Sequence, residues 1–120
     1  MSDAWASYPG APRTGARICA RADLPKKGAL PFGIGGFPVL VVCDCAGVRA
    51  FVNACPHQYL PLTYRGTAVL SADGGTLRCS NHDAAFDAQT GQGLSGFGQG
   101  CELDAIPVAF DSHNNLVIVE

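Results

Sequence analysis

A chain of 120 residues and 12.4 kDa has the size of one domain. Hydrophobic residues make up 48% and charged residues 15%, which excludes a wholly disordered chain. A net charge of -2, from 8 Lys and Arg against 10 Asp and Glu, excludes a basic field for nucleic acid or for an anionic membrane.

Residues 1–16, rich in Ala, Pro, Gly and Ser, read as a loosely held N-terminal arm pinned by Trp5 or Tyr8. The opening Met1-Ser2-Asp3-Ala4-Trp5 lacks a basic stretch followed by an apolar one, so no secretory signal and a cytoplasmic location are expected. Residues 17–120 form the body. Cys19 falls in a strand, and a weak helical turn is predicted near Ala22 to Lys26. Fifteen Gly and eight Pro leave little space for long helices. Short apolar, β-branched runs follow at Phe37 to Cys43, Val48 to Val52, Val69 to Leu70, Thr76 to Arg78, Ile106 to Phe110 and Leu116 to Val119. The longest, Phe37 to Cys43, falls far short of the roughly 20 residues of a membrane helix. Turn signals at Asp44-Cys45-Ala46-Gly47, Ala72-Asp73-Gly74-Gly75 and Asp111-Ser112-His113-Asn114-Asn115 separate the runs. The pattern predicts an all-β antiparallel sandwich or small barrel.

Six cysteines are many for this length. In a reducing compartment, clustered cysteines indicate metal or redox chemistry before disulfides. Two motifs stand out: Cys55-Pro56-His57 and Cys79-Ser80-Asn81-His82. Thiolate and imidazole are the side chains best suited to iron and zinc. Each motif follows a predicted strand, so two loops at strand ends could hold one metal centre between them. A structural zinc site usually pairs like ligands, Cys with Cys and His with His. Here each motif mixes the two, which favours iron over a structural zinc domain.

The segments Cys55-Pro56-His57-Gln58-Tyr59-Leu60-Pro61-Leu62 and Cys79-Ser80-Asn81-His82-Asp83-Ala84-Ala85-Phe86-Asp87-Ala88-Gln89-Thr90-Gly91 resemble the two cluster loops of Rieske iron–sulfur proteins. The spacing of Phe86-Asp87 and Thr90-Gly91 matches as well as the four ligands. The flanks also resemble the family, with Asp23-Leu24-Pro25 ahead of a hairpin and Leu103 to Val108 leading into a final one. The resemblance implies a Rieske-like fold with two cluster-binding loops and one [2Fe–2S] cluster. Cys55 and Cys79 would hold one iron, and His57 and His82 the other. Two neutral imidazoles in place of two thiolates make the cluster less negative, which raises its potential to roughly −150 to +300 mV from about −400 mV for all-cysteine plant-type clusters. High-potential relatives carry two further cysteines in these loops; the corresponding positions here are Leu60 and Asp83. That departure, with a carboxylate beside His82, implies a potential toward the lower end of the range. Tyr59 and Asp83 replace usual Gly residues and Ser80 a usual Pro, which leaves the path of the first loop open. Leu60, Pro61 and Leu62 are expected to cover the cluster or form an apolar docking rim, with core packing the equal alternative for Leu62.

Cys19, Cys43 and Cys45 are expected to be buried thiols acting as small hydrophobes. Cys101 lies in a glycine-rich segment where relatives often carry a proline-containing loop, and it is not expected to be a ligand. The resemblance implies a soluble electron carrier, similar to the ferredoxin of bacterial aromatic-ring dioxygenase systems. Its transient partners would be a flavin-dependent reductase and a terminal oxygenase. A terminal oxygenase itself needs a further iron site of two His and a carboxylate. With three His in the chain, only His113 would be left over, in a predicted turn. The other readings are a nitrite reductase small subunit, whose members commonly lack the ligands, and a redox-sensing protein.

Overall fold

The computed structural model describes residues 4–44, 47–54, 62–63, 69–79, 84–96 and 102–119. Among them run ten strands: β1 (Arg17–Ala20), β2 (Gly28–Ile34), β3 (Phe37–Asp44), β4 (Gly47–Val52), β5 (Thr76–Arg78), β6 (Ala84–Asp87), β7 (Gly93–Gly96), β8 (Ala105–Ile106), β9 (Val108–Phe110) and β10 (Asn115–Ile118). All pairings are antiparallel, in three sheets ordered β1-β10-β9, β2-β3-β4-β8 and β5-β6-β7. The described residues form an all-β fold of open sheets with no closed barrel. No helix among them is long and apolar enough to cross a membrane.

Successive side chains on a strand face opposite ways. On β3, Leu40 and Val42 enter one apolar cluster, while Phe37, Val39, Val41 and Cys43 enter another. On β4, Phe51 joins the first cluster and Ala50 and Val52 the second. The first cluster contains Leu77 of β5 and Ala84 and Phe86 of β6; the second contains Cys19 of β1 and Leu116 and Ile118 of β10. The β2-β3-β4-β8 sheet is therefore the middle layer, covered on each face. Burial on both faces explains why Phe37 to Cys43 reads as an unbroken apolar run rather than an alternating one.

The strand at Thr76–Arg78 lies where expected, β3 and β4 differ from expectation by a residue at one end, and β10 by a residue at each end. Three elements differ more. The run expected as one strand from Ile106 to Phe110 is two, β8 pairing with β4 and β9 with β10. Pro107 stands between them, without an N–H for a ladder, and the chain changes sheets there. Val69 to Leu70 is reduced to a single bridge, Leu70 to Leu77. The helical turn is a short 3-10 turn at Arg21–Asp23, where Asp23 Oδ2 accepts the Ala20 N–H at 3.0 Å.

β2, with Gly28, Pro31 and Gly33, lacks strand composition. It is an edge strand, where proline is tolerated, and it pairs with β3 along its whole length. Gly35 and Gly36 join the two with φ of 56° and 88°, the left-handed pair that a two-residue hairpin loop requires. The last hairpin turns at Asn114, φ 60°. There Asp111 Oδ1 accepts the N–H groups of His113 and Asn115 at 2.8 and 2.9 Å. The hydrogen bonds from Asn115 and His113 hold its carboxyl below the usual carboxylate range.

In the N-terminal segment Trp5 is buried and packs in the second cluster. The Tyr8 hydroxyl donates to Asp104 Oδ2 at 2.6 Å, and its ring meets Phe37 edge-on at 6.1 Å. The Gly15 N–H donates to Ile118 O at 2.7 Å. Trp5 Nε1 is buried with no hydrogen-bond partner among the described residues. Trp5→Ala is expected to destabilise the protein by about 3 kcal/mol, through lost packing. Trp5→Phe keeps most of that packing and removes the unpaired donor, so it should stay within about 1 kcal/mol of wild type. Urea unfolding of the two variants checks the pair; equal losses would refute this account of Trp5.

Candidate metal centre

The second motif sits on the β5–β6 hairpin. Leu77 pairs with Phe86 and Arg78 with Ala85, and the Cys79 N–H donates to Ala84 O at 3.0 Å. Cys79 and Ala84 are thus the residues at which the described ladder ends. Leu77 and Cys79 are two apart and point the same way, into the first cluster, while Arg78 is exposed. Cys79 is only 7% exposed and Leu77 and Phe86 are wholly buried.

The residues after the hairpin build the turn that supports it. Asp87 Oδ1 accepts the N–H groups of Gln89 and Thr90 at 2.7 and 3.0 Å, and Asp87 O accepts that of Gly91 at 2.7 Å. Thr90 Oγ1 accepts the Gln92 N–H at 3.2 Å. Gly91 has φ +80°, and a Cβ there would lie 2.9 Å from both Leu103 O and the Phe51 ring. Arg49 on β4 fastens this turn to the middle sheet, donating from Nε to Ala88 O at 2.7 Å and from its terminal nitrogens to Asp44 at 3.2 and 2.9 Å. The Phe-Asp and Thr-Gly residues are therefore scaffold, which is why their spacing accompanies the ligand spacing.

The first motif follows β4. Asn53, only 2% exposed, accepts the Leu62 N–H on Oδ1 at 2.8 Å and donates from Nδ2 to Thr63 Oγ1 at 3.0 Å. Sequence reasoning passed over Asn53; its one visible signal is a polar residue at the end of an apolar strand, two before Cys55. Leu62 is fully buried in the first cluster, so of its two expected roles it takes core packing.

Leu62, where the first loop returns, and Cys79, where the second begins, belong to the same apolar cluster. The two segments carrying Cys-x-His and Cys-x-x-His are thereby anchored on one core. A buried thiol at a hairpin mouth suits an iron–sulfur ligand. Cys55, His57 and His82 lie outside the described residues, as do Cys45, Tyr59, Leu60, Pro61, Ser80, Asp83 and Cys101. Among the described residues no group of three His, Cys, Asp or Glu could hold a metal ion. Cys19 and Cys43 are buried in the second cluster, across the middle sheet from Cys79. Burial pushes both thiols above their ordinary pKa, which keeps them protonated and inert. His113 is exposed in its turn.

This geometry has counterparts. The chain superposes on the ferredoxin of carbazole 1,9a-dioxygenase from Nocardioides aromaticivorans IC177 with a TM-score of 0.72, at 24% identity, over 89% of this chain and 98% of that one. It superposes on the ferredoxin of Sphingomonas yanoikuyae B1 with a TM-score of 0.70, at 20% identity, over 88% and 98%. A structure described as a putative nitrite reductase NADPH small subunit gives 0.67, at 21% identity, over 90% and 100%. No curated protein gives a significant sequence match. The family model described as the Rieske [2Fe-2S] domain matches residues 15–102. The chain belongs to the Rieske [2Fe-2S] domain family.

Proposed function

We propose that this protein is a soluble, cytoplasmic one-electron carrier, taking electrons from a flavin-dependent reductase and delivering them to a terminal oxygenase. The observation that carries the reading is the anchoring of both ligand-bearing segments on one core, in a chain that spans nearly the whole length of dioxygenase ferredoxins of the same fold. Cys55 and Cys79 would hold one iron and His57 and His82 the other. When bound, the [2Fe–2S] group supplies a one-electron couple, with a potential toward the lower end of the family's range. The chain's own work is to hold and dock. Leu77, Phe86 and Leu62 are buried in the apolar cluster that also holds Cys79. The hairpin ladder through Cys79 fixes one loop, and the Asp87 turn with Arg49 keeps that hairpin on the middle sheet. The protein would not be catalytic alone, since its task ends at passing an electron.

The small subunit of a nitrite reductase is the second reading, favoured by the match over the full length of such a chain. Retention of Cys55, His57, Cys79 and His82 in the sequence favours the carrier. Freshly purified protein is expected to contain iron and acid-labile sulfide in equal amounts. Once reduced, it should show the low average g of a His-ligated cluster in electron paramagnetic resonance. With a reductase and terminal oxygenase of the aromatic-ring type it should support turnover. Zinc without sulfide from iron-sufficient cells would withdraw the proposal. So would loaded, reduced protein that gives electrons to no oxygenase.

A further inference from the structure

Among the described residues, the segments that flank the two motifs meet the core differently. The second motif is flanked by main-chain pairing: the Arg78–Ala85 pair and the Cys79 N–H to Ala84 O bond continue a β-ladder. The first returns to the core at Leu62 and Thr63, which belong to no strand. There the amide of Asn53 reaches both residues. The Leu62 N–H can only donate, so the amide oxygen faces it, and Nδ2 is left to face Thr63 Oγ1. Asn53 is itself held at the end of β4, its N–H donating to Pro38 O at 3.2 Å. It is also the one polar side chain classed as buried among the described residues. A buried amide carries a desolvation cost that only its hydrogen bonds offset, and here both go to the far end of segment 54–61.

We propose that Asn53 is a positioning residue of the first metal-binding loop, its amide tying the end of β4 to Leu62 and Thr63, on the far side of Cys55 and His57 in the chain. It touches no metal; it acts through the segment whose two ends it joins. The assignment rests on the carrier reading in taking residues 55–57 to hold metal.

The test compares wild type with Asn53→Ala, Thr63→Val and Leu116→Ala, all purified with metal incorporated during expression. Leu116 lies in the second cluster, so its truncation weakens the fold away from both loops. Iron and sulfide are counted, iron loss to excess ferrous chelator is timed after reduction, and the reduced resonance spectrum is recorded. Asn53→Ala should release iron about tenfold faster than wild type, with altered g values. Thr63→Val, which keeps the Leu62 bond, should release it about threefold faster. Leu116→Ala should melt at a lower temperature yet keep the wild-type release rate and spectrum. Release from Asn53→Ala at the control's rate, with an unchanged spectrum, would reduce Asn53 to a stabiliser of the fold and overturn the assignment. If Asn53→Ala yields no folded protein, Thr63→Val decides: faster release supports the clasp and a wild-type rate overturns it. Wild type without iron and sulfide would bring down the carrier reading and this assignment together, whereas loaded wild type beside unmoved variants brings down the assignment alone.

Discussion

Cys79→Ser is expected to fold yet to retain less than about a tenth of the wild-type iron, with no reduced Rieske-type resonance signal. Serine nearly matches cysteine in volume, so the hairpin ladder through residue 79 can persist. The hydroxyl, in a site only 7% exposed, costs about 1–2 kcal/mol, which a domain of ordinary stability survives. What is lost is the thiolate, the soft ligand that an iron–sulfur centre requires. Cys43→Ser is the matching control. Cys43 is as deeply buried, but it lies in the second cluster on the other face of the middle sheet. Its substitution should cost similar stability and leave iron content unchanged. Iron and sulfide analysis beside far-ultraviolet circular dichroism separates the two effects. Full iron with an unchanged spectrum in Cys79→Ser would remove Cys79 from the ligand set.

The second large effect is expected at Gly91. Alanine there meets two penalties at once. The backbone φ of +80° lies in the region that an L side chain occupies at a cost of about 1–2 kcal/mol. The new Cβ would also lie 2.9 Å from Leu103 O and from the Phe51 ring, neither the loose end of a flexible chain, and overpacking of this kind adds about 1–3 kcal/mol. Gly91→Ala should therefore lose about 2–5 kcal/mol, on the order of 10 °C or more in melting temperature for a domain of this size. Two other glycines divide the effect. Gly36 has φ +88° with open space around it, so its alanine variant should show only the backbone penalty. Gly33 has open space and no positive φ, and Gly33→Ala should be nearly silent. Equal melting temperatures for Gly91→Ala and Gly33→Ala would show that the close approach to Leu103 and Phe51 does not constrain this turn.

These expectations mark where sequence and structure divide. The ligand motifs were legible because metal chemistry restricts both residue type and spacing, and the Phe86-Asp87 and Thr90-Gly91 pattern because hairpin and turn geometry does the same. β3 and β4 were legible from β-branched runs bounded by turn residues. β2 was not, since an edge strand is held by backbone pairing along β3 and needs no strand-like composition. The division of Ile106 to Phe110 depended on which sheet each half joins. Asn53 carried no motif: its meaning lies in hydrogen bonds to Leu62 and Thr63, nine and ten residues away.

Taken alone, the sequence determined the all-β class and the family, because these follow from local periodicity, turn chemistry and motif spacing. Only the tertiary structure decided that one sheet lies between two cores, that Cys43 and Cys79 stand on opposite sides of it, and that Leu62 is core rather than rim. It also placed the Asn53 amide on Leu62 and Thr63. Such facts depend on which distant segments meet, and a one-dimensional pattern of residues does not specify that where backbone hydrogen bonds and shared burial do the joining.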